Sequence, residues 1–338
     1  MKKPTQTDVA RLAGVSRATV SYVINGVDTQ GITDDTRRRV MNAINELGYV
    51  INAGAQALRS GDTKTIGVML SLYDNPFQWG ILNGISREAN EAGYKVLLAN
   101  SALNATQENQ RISELAEQRV DGLILVIELG ALPNQIKQQL RKSTHPIVEI
   151  TSTVSDFDYL RHGYDDATVV IMNHLFELGH RHIAFLHGVQ GAIQGLDRLN
   201  AYRQAFANAN LPFDERWVYH CGPSREDAYQ ATMNILSQPD RPTALLAIND
   251  ILAIAAIRAA HDLGLSVPND LSVAGFDDNP DVKYMIPSLT TVGSDTEQIG
   301  RHAVQLLVKR LTYPESKRET ITAGWQVQVR ESTGPVPD

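Results

Sequence analysis

The stretch TQTDVARLAGVSRATVSYVIN, Thr5 to Asn25, decides how the amino-terminal part of the chain folds. Thr5 with Asp8 three residues on has the form of a capping box, and the Asp8 carboxylate suits the positive end of a helix dipole. That helix runs to about Ala13. Gly14 supplies the positive φ a tight turn requires, and Ser16 caps a second helix whose Val20, Val23 and Ile24 follow the i, i+3, i+4 rule and face inward. Arg17, Ala18, Ser21, Tyr22 and Asn25, with Thr19 beside them, form a polar and aromatic outer face. An ordinary helical hairpin with a solvated face is the plainer reading. Cap, turn glycine and outer stripe agree instead on a helix-turn-helix, whose second helix enters the major groove by its N-terminal residues. Thr5 and Ser16, at the helix starts, are candidate DNA contacts with that stripe.

A third helix follows: Thr33 can cap it, Asp34 and Asp35 sit in its first turn, and Val40, Ala43, Ile44 and Leu47 make a buried face closed by Gly48. Arg37, Arg38 and Arg39 could meet phosphate, although such a run is by default a solvated face. Residues 1–61 carry eight Lys and Arg against five acids, a net charge of +3, so with −7 for the whole chain the remainder carries −10. A basic head on an acidic body implies that only the head approaches nucleic acid.

The 338 residues suffice for two or three domains. No apolar run follows the first lysines, and the longest apolar stretches, such as Ile251 to Ile257, are too short for a bilayer. A cytoplasmic protein with no membrane partner is expected. Cys221 is the only cysteine, which excludes an intrachain disulfide and a multi-cysteine metal site; a structural thiol at a strand end fits it. From Thr65 onward short apolar runs (TIGVMLS, KVLLAN, DGLILVI, PIVEI, HIAFLH, TALLAI, LSVAGF) alternate with amphipathic stretches. This α/β rhythm predicts a doubly wound parallel sheet in each of two halves, with ligands bound beyond the carboxyl ends of strands. His180, His182 and His187 suit surface or loop roles, and His220 beside Cys221 has no matching ligand pair, so no metal is expected. No Ser/His/Asp set or GKS/GKT loop appears, and no cofactor is implied.

DVARLAGVSRATVSYVIN resembles the opening of the lactose-repressor (LacI/GalR) family of bacterial transcription regulators. Further matches run to the carboxyl terminus: Asn75-Pro76-Phe77, Asp165-Asp166, Gly179-His180-Arg181, Val267-Pro268, Gly275-Phe276-Asp277-Asp278, Pro287-Ser288-Leu289-Thr290-Thr291 and VQVRESTG. The resemblance implies an α/β architecture in which a three-helix helix-turn-helix head (1–50) and a hinge helix (51–61) precede a two-lobed, periplasmic-binding-protein-like effector domain. Lobe one is expected over 62–161 and 290–321, lobe two over 162–289 and 322–338.

In the resembled family the hinge becomes helical on operator DNA, and a leucine from each subunit of a dimer wedges into the minor groove. Leu58 matches that leucine, Asn52 can cap the helix and Ala57 lies beside the wedge; packing of Leu58 on the body is the plainer reading. Ile51 and Gly54 depart from the proline and alanine common in the family. The resemblance also assigns Arg198, Asn249 and Asp277 to the effector cleft, a donor and acceptor set suited to a polyol or small acid. Phe77 and Trp79 are candidates for an apolar wall behind a sugar ring, with the lobe core an equal reading for Trp79. Gln194 is a further candidate donor. Thr151 stands where a charged residue is common, and Ala192 lacks the arginine that nucleobase-binding relatives place nearby, which points away from a purine. The expected protein is a regulator, not an enzyme: a homodimer on near-palindromic double-stranded operator DNA, controlled by a small-molecule effector, a carbohydrate by this reading. No leucine heptads follow the last strand, so a tetramer built on a terminal coiled coil is not expected.

Overall fold

Local chemistry sets the head. The computed structural model describes residues 4–24, 31–49, 62–71, 75–101, 104–127, 132–143, 145–151, 155–188 and 193–337. Helices α1 (Gln6–Ala13), α2 (Arg17–Ile24) and α3 (Asp34–Leu47) form the first unit, which spans Met1–Thr63. The Thr5 N–H and hydroxyl donate to the Asp8 carboxylate at 2.9 and 2.7 Å, and the Asp8 amide donates to Thr5 Oγ at 3.4 Å. The Thr19 amide donates to Ser16 Oγ at 3.1 Å, and the Thr36 amide to Thr33 Oγ at 3.2 Å. Gly14 (φ 65°) and Gly48 (φ 59°) end α1 and α3 in the left-handed region, where a Cβ is costly. Val9, Ala10, Ala13, Val20, Val40 and Ala43 are buried together, with Val23, Ile24, Ile44 and Leu47 half-buried against them.

The second unit, Lys64–Asp338, begins with β1 (Thr65–Leu70), α4 (Pro76–Glu91), β2 (Lys95–Asn100), α5 (Ala105–Ala116), β3 (Gly122–Val126), α6 (Asn134–Lys142), β4 (Ile147–Thr151) and β5 (Asp158–Arg161). The chain then crosses into a second lobe: α7 (Tyr164–Glu177), β6 (Ile183–His187), α8 (Ile193–Asn208), β7 (Val218–His220), α9 (Arg225–Leu236), β8 (Ala244–Ala247), α10 (Asp250–Asp262), β9 (Ser272–Asp277) and β10 (Thr290–Gly293). It returns for α11 (Thr296–Thr312) and β11 (Thr320–Thr322), then crosses again to β12 (Gln326–Gln328). One sheet has the order β11-β5-β4-β3-β1-β2, all parallel; the other runs β12-β10-β9-β8-β6-β7, with only β12 antiparallel. Helices cover both faces, so central strands are apolar on both sides: Ile66, Val68, Met69 and Leu70 of β1 are fully buried, each contributing about 1.5–3 kcal/mol of hydrophobic stabilisation.

Two boundaries differ from the sequence reading. Thr290–Gly293 pairs with Ala274–Asp277, so the return to lobe one follows Gly293 rather than beginning at 290. Thr320–Thr322 pairs with Tyr159–Arg161, which moves the last crossover past Thr322. The closing strand is also shorter than VQVRESTG, ending at Gln328. Helix α4 lies against α11 at backbone distance. A Cβ on Gly84 would sit 2.1 Å from the Glu297 carbonyl oxygen, and one on Gly300 would sit 2.2 Å from that of Ile81. Among the described residues no helix is long and apolar enough to cross a membrane.

Candidate functional site

In the head, α2 presents Arg17, Ala18 and Tyr22 to solvent, with Ser21 half-buried. Arg17 has no ion pair among the described residues, whereas Arg38 and Arg39 reach Asp35 at 2.7 and 3.4 Å. Thr5, Ser16 and Thr19 face outward at the helix starts, but their hydroxyls are engaged in caps: Thr5 bonds Asp8, and the Ser16 and Thr19 hydroxyls lie 2.9 Å apart. What this surface can offer to DNA is a free guanidinium, a phenol, a small methyl and the start of a helix. Asn25, Ile51, Asn52, Gly54, Ala57, Leu58 and Ala192 lie outside the described residues.

In the body the polar side chains gather at the carboxyl ends of parallel strands, where a doubly wound fold leaves its crevice. Thr151 ends β4, buried; Asp277 ends β9, buried, with φ 108°. Asn75 caps α4 by accepting from the Phe77 amide at 3.1 Å, and its side-chain N–H donates to the Asp277 carboxylate at 2.9 Å. This bond joins lobe one to lobe two. The Asn279 side chain reaches Asn75 Oδ1 at 3.4 Å from the same lobe-two loop. Arg198 is buried on α8, donates to the Ile248 carbonyl, and holds its guanidinium 4.3 Å from the Tyr164 ring centroid and 5.2 Å from that of Phe276. Asn249 caps α10 by accepting from the Leu252 amide at 3.0 Å, which leaves its N–H groups as donors. Gln194 lies in the first turn of α8, but its side chain is outside what is described.

Phe77 and Trp79 do not form one wall. Two residues apart on a helix they point about 200° from each other; Phe77 is buried in the core beside His162 and Tyr164, while Trp79 is 50% exposed and belongs to neither core nor stack. The planar stack in this region is that of His162 on Tyr164, both buried, with ring centroids 5.1 Å apart and planes at 14°. Burial pushes the Asp277 carboxyl up to about 6, with Arg198 pulling back. Burial pushes the His162 imidazole down to about 3, and the Arg198 charge adds to the shift. Asp250, fully buried, is raised by burial first and by Asp277 second; it accepts from the Asn279 amide at 2.7 Å and from the Thr291 hydroxyl, tying the loop after β9 to β10.

His162, Tyr164, Asp250 and Asn279 went unread in the sequence. Asp250 and Asn279 follow β8 and β9 and were within reach of the strand-end rule. His162 follows β5, a short strand with no apolar run to announce it. His180 and His187 are both buried rather than surface groups: His180 bonds Thr243 and Ser272, each at 3.0 Å, and His187 stacks on His220 at 4.3 Å. Cys221 donates to the His187 carbonyl, and burial pushes its thiol up to about 12, which suits a structural role. Among the described residues no three His, Cys, Asp or Glu side chains are grouped to hold a metal ion.

Residues 5–52 match the family described as bacterial regulatory proteins, lacI family, and residues 172–333 match the periplasmic binding protein-like domain. The HTH-type transcriptional repressor PurR of Aliivibrio fischeri strain MJ11 is 32% identical over 337 residues, covering 97% of this chain and 98% of that one. A solved lac repressor dimer bound to operator and the anti-inducer ONPF aligns with a TM-score of 0.85 at 29% identity, over 98% of this chain and all of that one. The transcriptional regulator CelR in complex with cellobiose aligns with a TM-score of 0.72 at 30% identity, over 97% and 99% of the two chains. Such relatives are regulators and not enzymes. With its helix-turn-helix head and two-lobed ligand-binding body, this chain belongs to the LacI family of DNA-binding transcriptional repressors.

Proposed function

We propose that the protein acts in the cytoplasm as a homodimer on a near-palindromic operator, and that a sugar or related polyol held between the lobes sets its operator affinity. The observation that carries the ligand half is the Asn75–Asp277 bond across the crevice at 2.9 Å, next to the buried Arg198 guanidinium. A carboxylate accepts from paired hydroxyls, while a guanidinium and the Asn249 amide donate to them. A ligand entering there exchanges partners with a bond that already spans the lobes, so occupancy and lobe closure are coupled. The CelR–cellobiose relative supports a carbohydrate class.

On the DNA side, Arg17 is the candidate for a bidentate guanine contact, Tyr22 for base or phosphate and Ala18 for a thymine methyl, with Thr5, Ser16, Thr19, Ser21 and Asn25 as further candidate contacts. Asn52, Ala57 and Leu58 would form the hinge helix and its minor-groove wedge. A dimer is supported by edge strand β2, where Leu97 and Leu98 are 39% and 42% exposed: an open apolar edge calls for a cover. Selection from a randomised duplex library at near-physiological salt, with and without neutral sugars, tests the reading. It predicts an enriched palindrome whose recovery one sugar changes; a palindrome indifferent to every sugar would refute the ligand half, and no enriched sequence under any condition would refute operator binding.

A further inference from the structure

His162 occupies a singular position in the crevice. It is the first residue past β5, at the point where the chain leaves lobe one for lobe two, and only 1% of its surface is exposed. Its ring packs between named neighbours: parallel to Tyr164 at 5.1 Å, and tilted against Phe77 at 5.7 Å. Those contacts use the faces and edges of the ring and neither nitrogen. Both Nδ1 and Nε2 are buried without a hydrogen-bond partner among the described residues, unlike His180, whose two nitrogens are all met by Thr243, Ser272 and the Gly334 carbonyl. Buried polar atoms are paired as a rule, and an exception in a crevice signals a group waiting for a partner.

We infer that His162 is a direct ligand contact, and that it selects an uncharged, hydroxyl-bearing ligand. This deepens the proposed sugar-responsive function and rests on it. A neutral imidazole has one N–H donor and one lone-pair acceptor. A polyhydroxylated ligand can answer both, one hydroxyl accepting from the N–H nitrogen and another, farther along the ligand, donating to the bare nitrogen. A carboxylate answers only the donor, and an ammonium only the acceptor. The surroundings hold the ring neutral: burial disfavours its charged form and the Arg198 guanidinium, lying against the same Tyr164 ring, adds to that effect. An ammonium would meet the Arg198 charge as well. The packed Tyr164 and Phe77 rings fix the imidazole plane, so its nitrogens are aimed before any ligand arrives, which spares the cost of ordering them on binding.

The test uses the full-length protein, its His162→Phe and His162→Gln variants, and a panel of D-glucose, D-ribose, cellobiose and mannitol, with adenine and hypoxanthine as nitrogenous counterparts. Thermal shift finds binders and calorimetric titration measures them. Phenylalanine keeps the stacking and removes both polar atoms, whereas glutamine restores one donor and one acceptor. The inference predicts that a hydroxylated neutral compound binds the wild type, that His162→Phe weakens it by about tenfold or more, and that His162→Gln stays within about threefold. If His162→Phe folds poorly, 15N shifts of the His162 ring in the wild type give the same answer, and they must move when that compound is added. Equal affinity in His162→Phe, or unmoved ring shifts, overturns the role of His162 while the sugar reading stands. A panel in which no neutral hydroxylated compound binds, or only adenine or hypoxanthine does, removes the sugar reading and this inference with it.

Discussion

Arg17 opens the second helix of the head with its side chain exposed and without an ion pair among the described residues, while the α3 arginines 38 and 39 are drawn to Asp35. Arg17→Ala should therefore relax discrimination at one operator base pair by about 1–3 kcal/mol, read by competition between matched and single-mismatch duplexes. An equal loss on scrambled DNA would make Arg17 a phosphate contact. His162 yields a second prediction at this scale. The folded protein keeps the ring neutral down to about 3, whereas the unfolded chain protonates it near 6.5. Its contribution to stability is therefore complete above 6.5 and drains as pH falls through that window. Asp277 works the other way, since its carboxyl is raised to about 6 and its contribution is lost as pH rises through that value; it is common to both proteins in the comparison. Denaturant unfolding of wild type and His162→Phe should show the wild type losing roughly 1 kcal/mol per pH unit relative to the variant below 6.5. Parallel pH profiles would contradict a buried neutral ring.

At the scale of elements, α4 and α11 are held at a distance only glycine permits. The backbone carbonyl of Glu297 leaves no room for a Cβ on Gly84, and no side chain can swing aside to make it. Gly84→Ala should cost about 1–3 kcal/mol of body stability, a fall of several degrees in Tm, with the isolated helix propensity pulling weakly in the opposite sense. An unchanged Tm would mean that the helices part easily. Elements were legible in the sequence where their cause is local. Thr5, Ser16 and Thr33 cap, Gly14 and Gly48 turn, and apolar runs such as those of β1, β3, β6 and β8 become central strands. Asp158–Arg161 and Thr320–Thr322 carry no such signal, because short polar strands toward a sheet edge show no periodicity; pairing with each other makes them strands. The residues of β10 likewise read as lobe one in sequence, since only their pairing with β9 tells where the chain crosses.

At the scale of the molecule, the split between basic head and acidic body reappears as two compact units, residues 1–63 and 64–338. Arg198, Asn249 and Asp277 were legible as candidates through the family pattern; Asn249 and Asp277 stand at or just past the ends of β8 and β9, and Arg198, on α8, reaches the end of β8 by its bond to the Ile248 carbonyl. Their connections were not legible, because the Asn75–Asp277 bond joins residues from two lobes and His162 acquires its neighbours only after the sheet has closed. The proposed function requires that a ligand in the body change what the head does on DNA, a coupling typically worth about 1–3 kcal/mol. It is tested most directly by operator titrations of wild type and Asp277→Asn, each with and without the sugar that stabilises the wild-type body. The sugar should shift the wild-type operator Kd by about 5- to 150-fold and leave that of Asp277→Asn where it was. A wild-type Kd that the bound sugar does not move would contradict it.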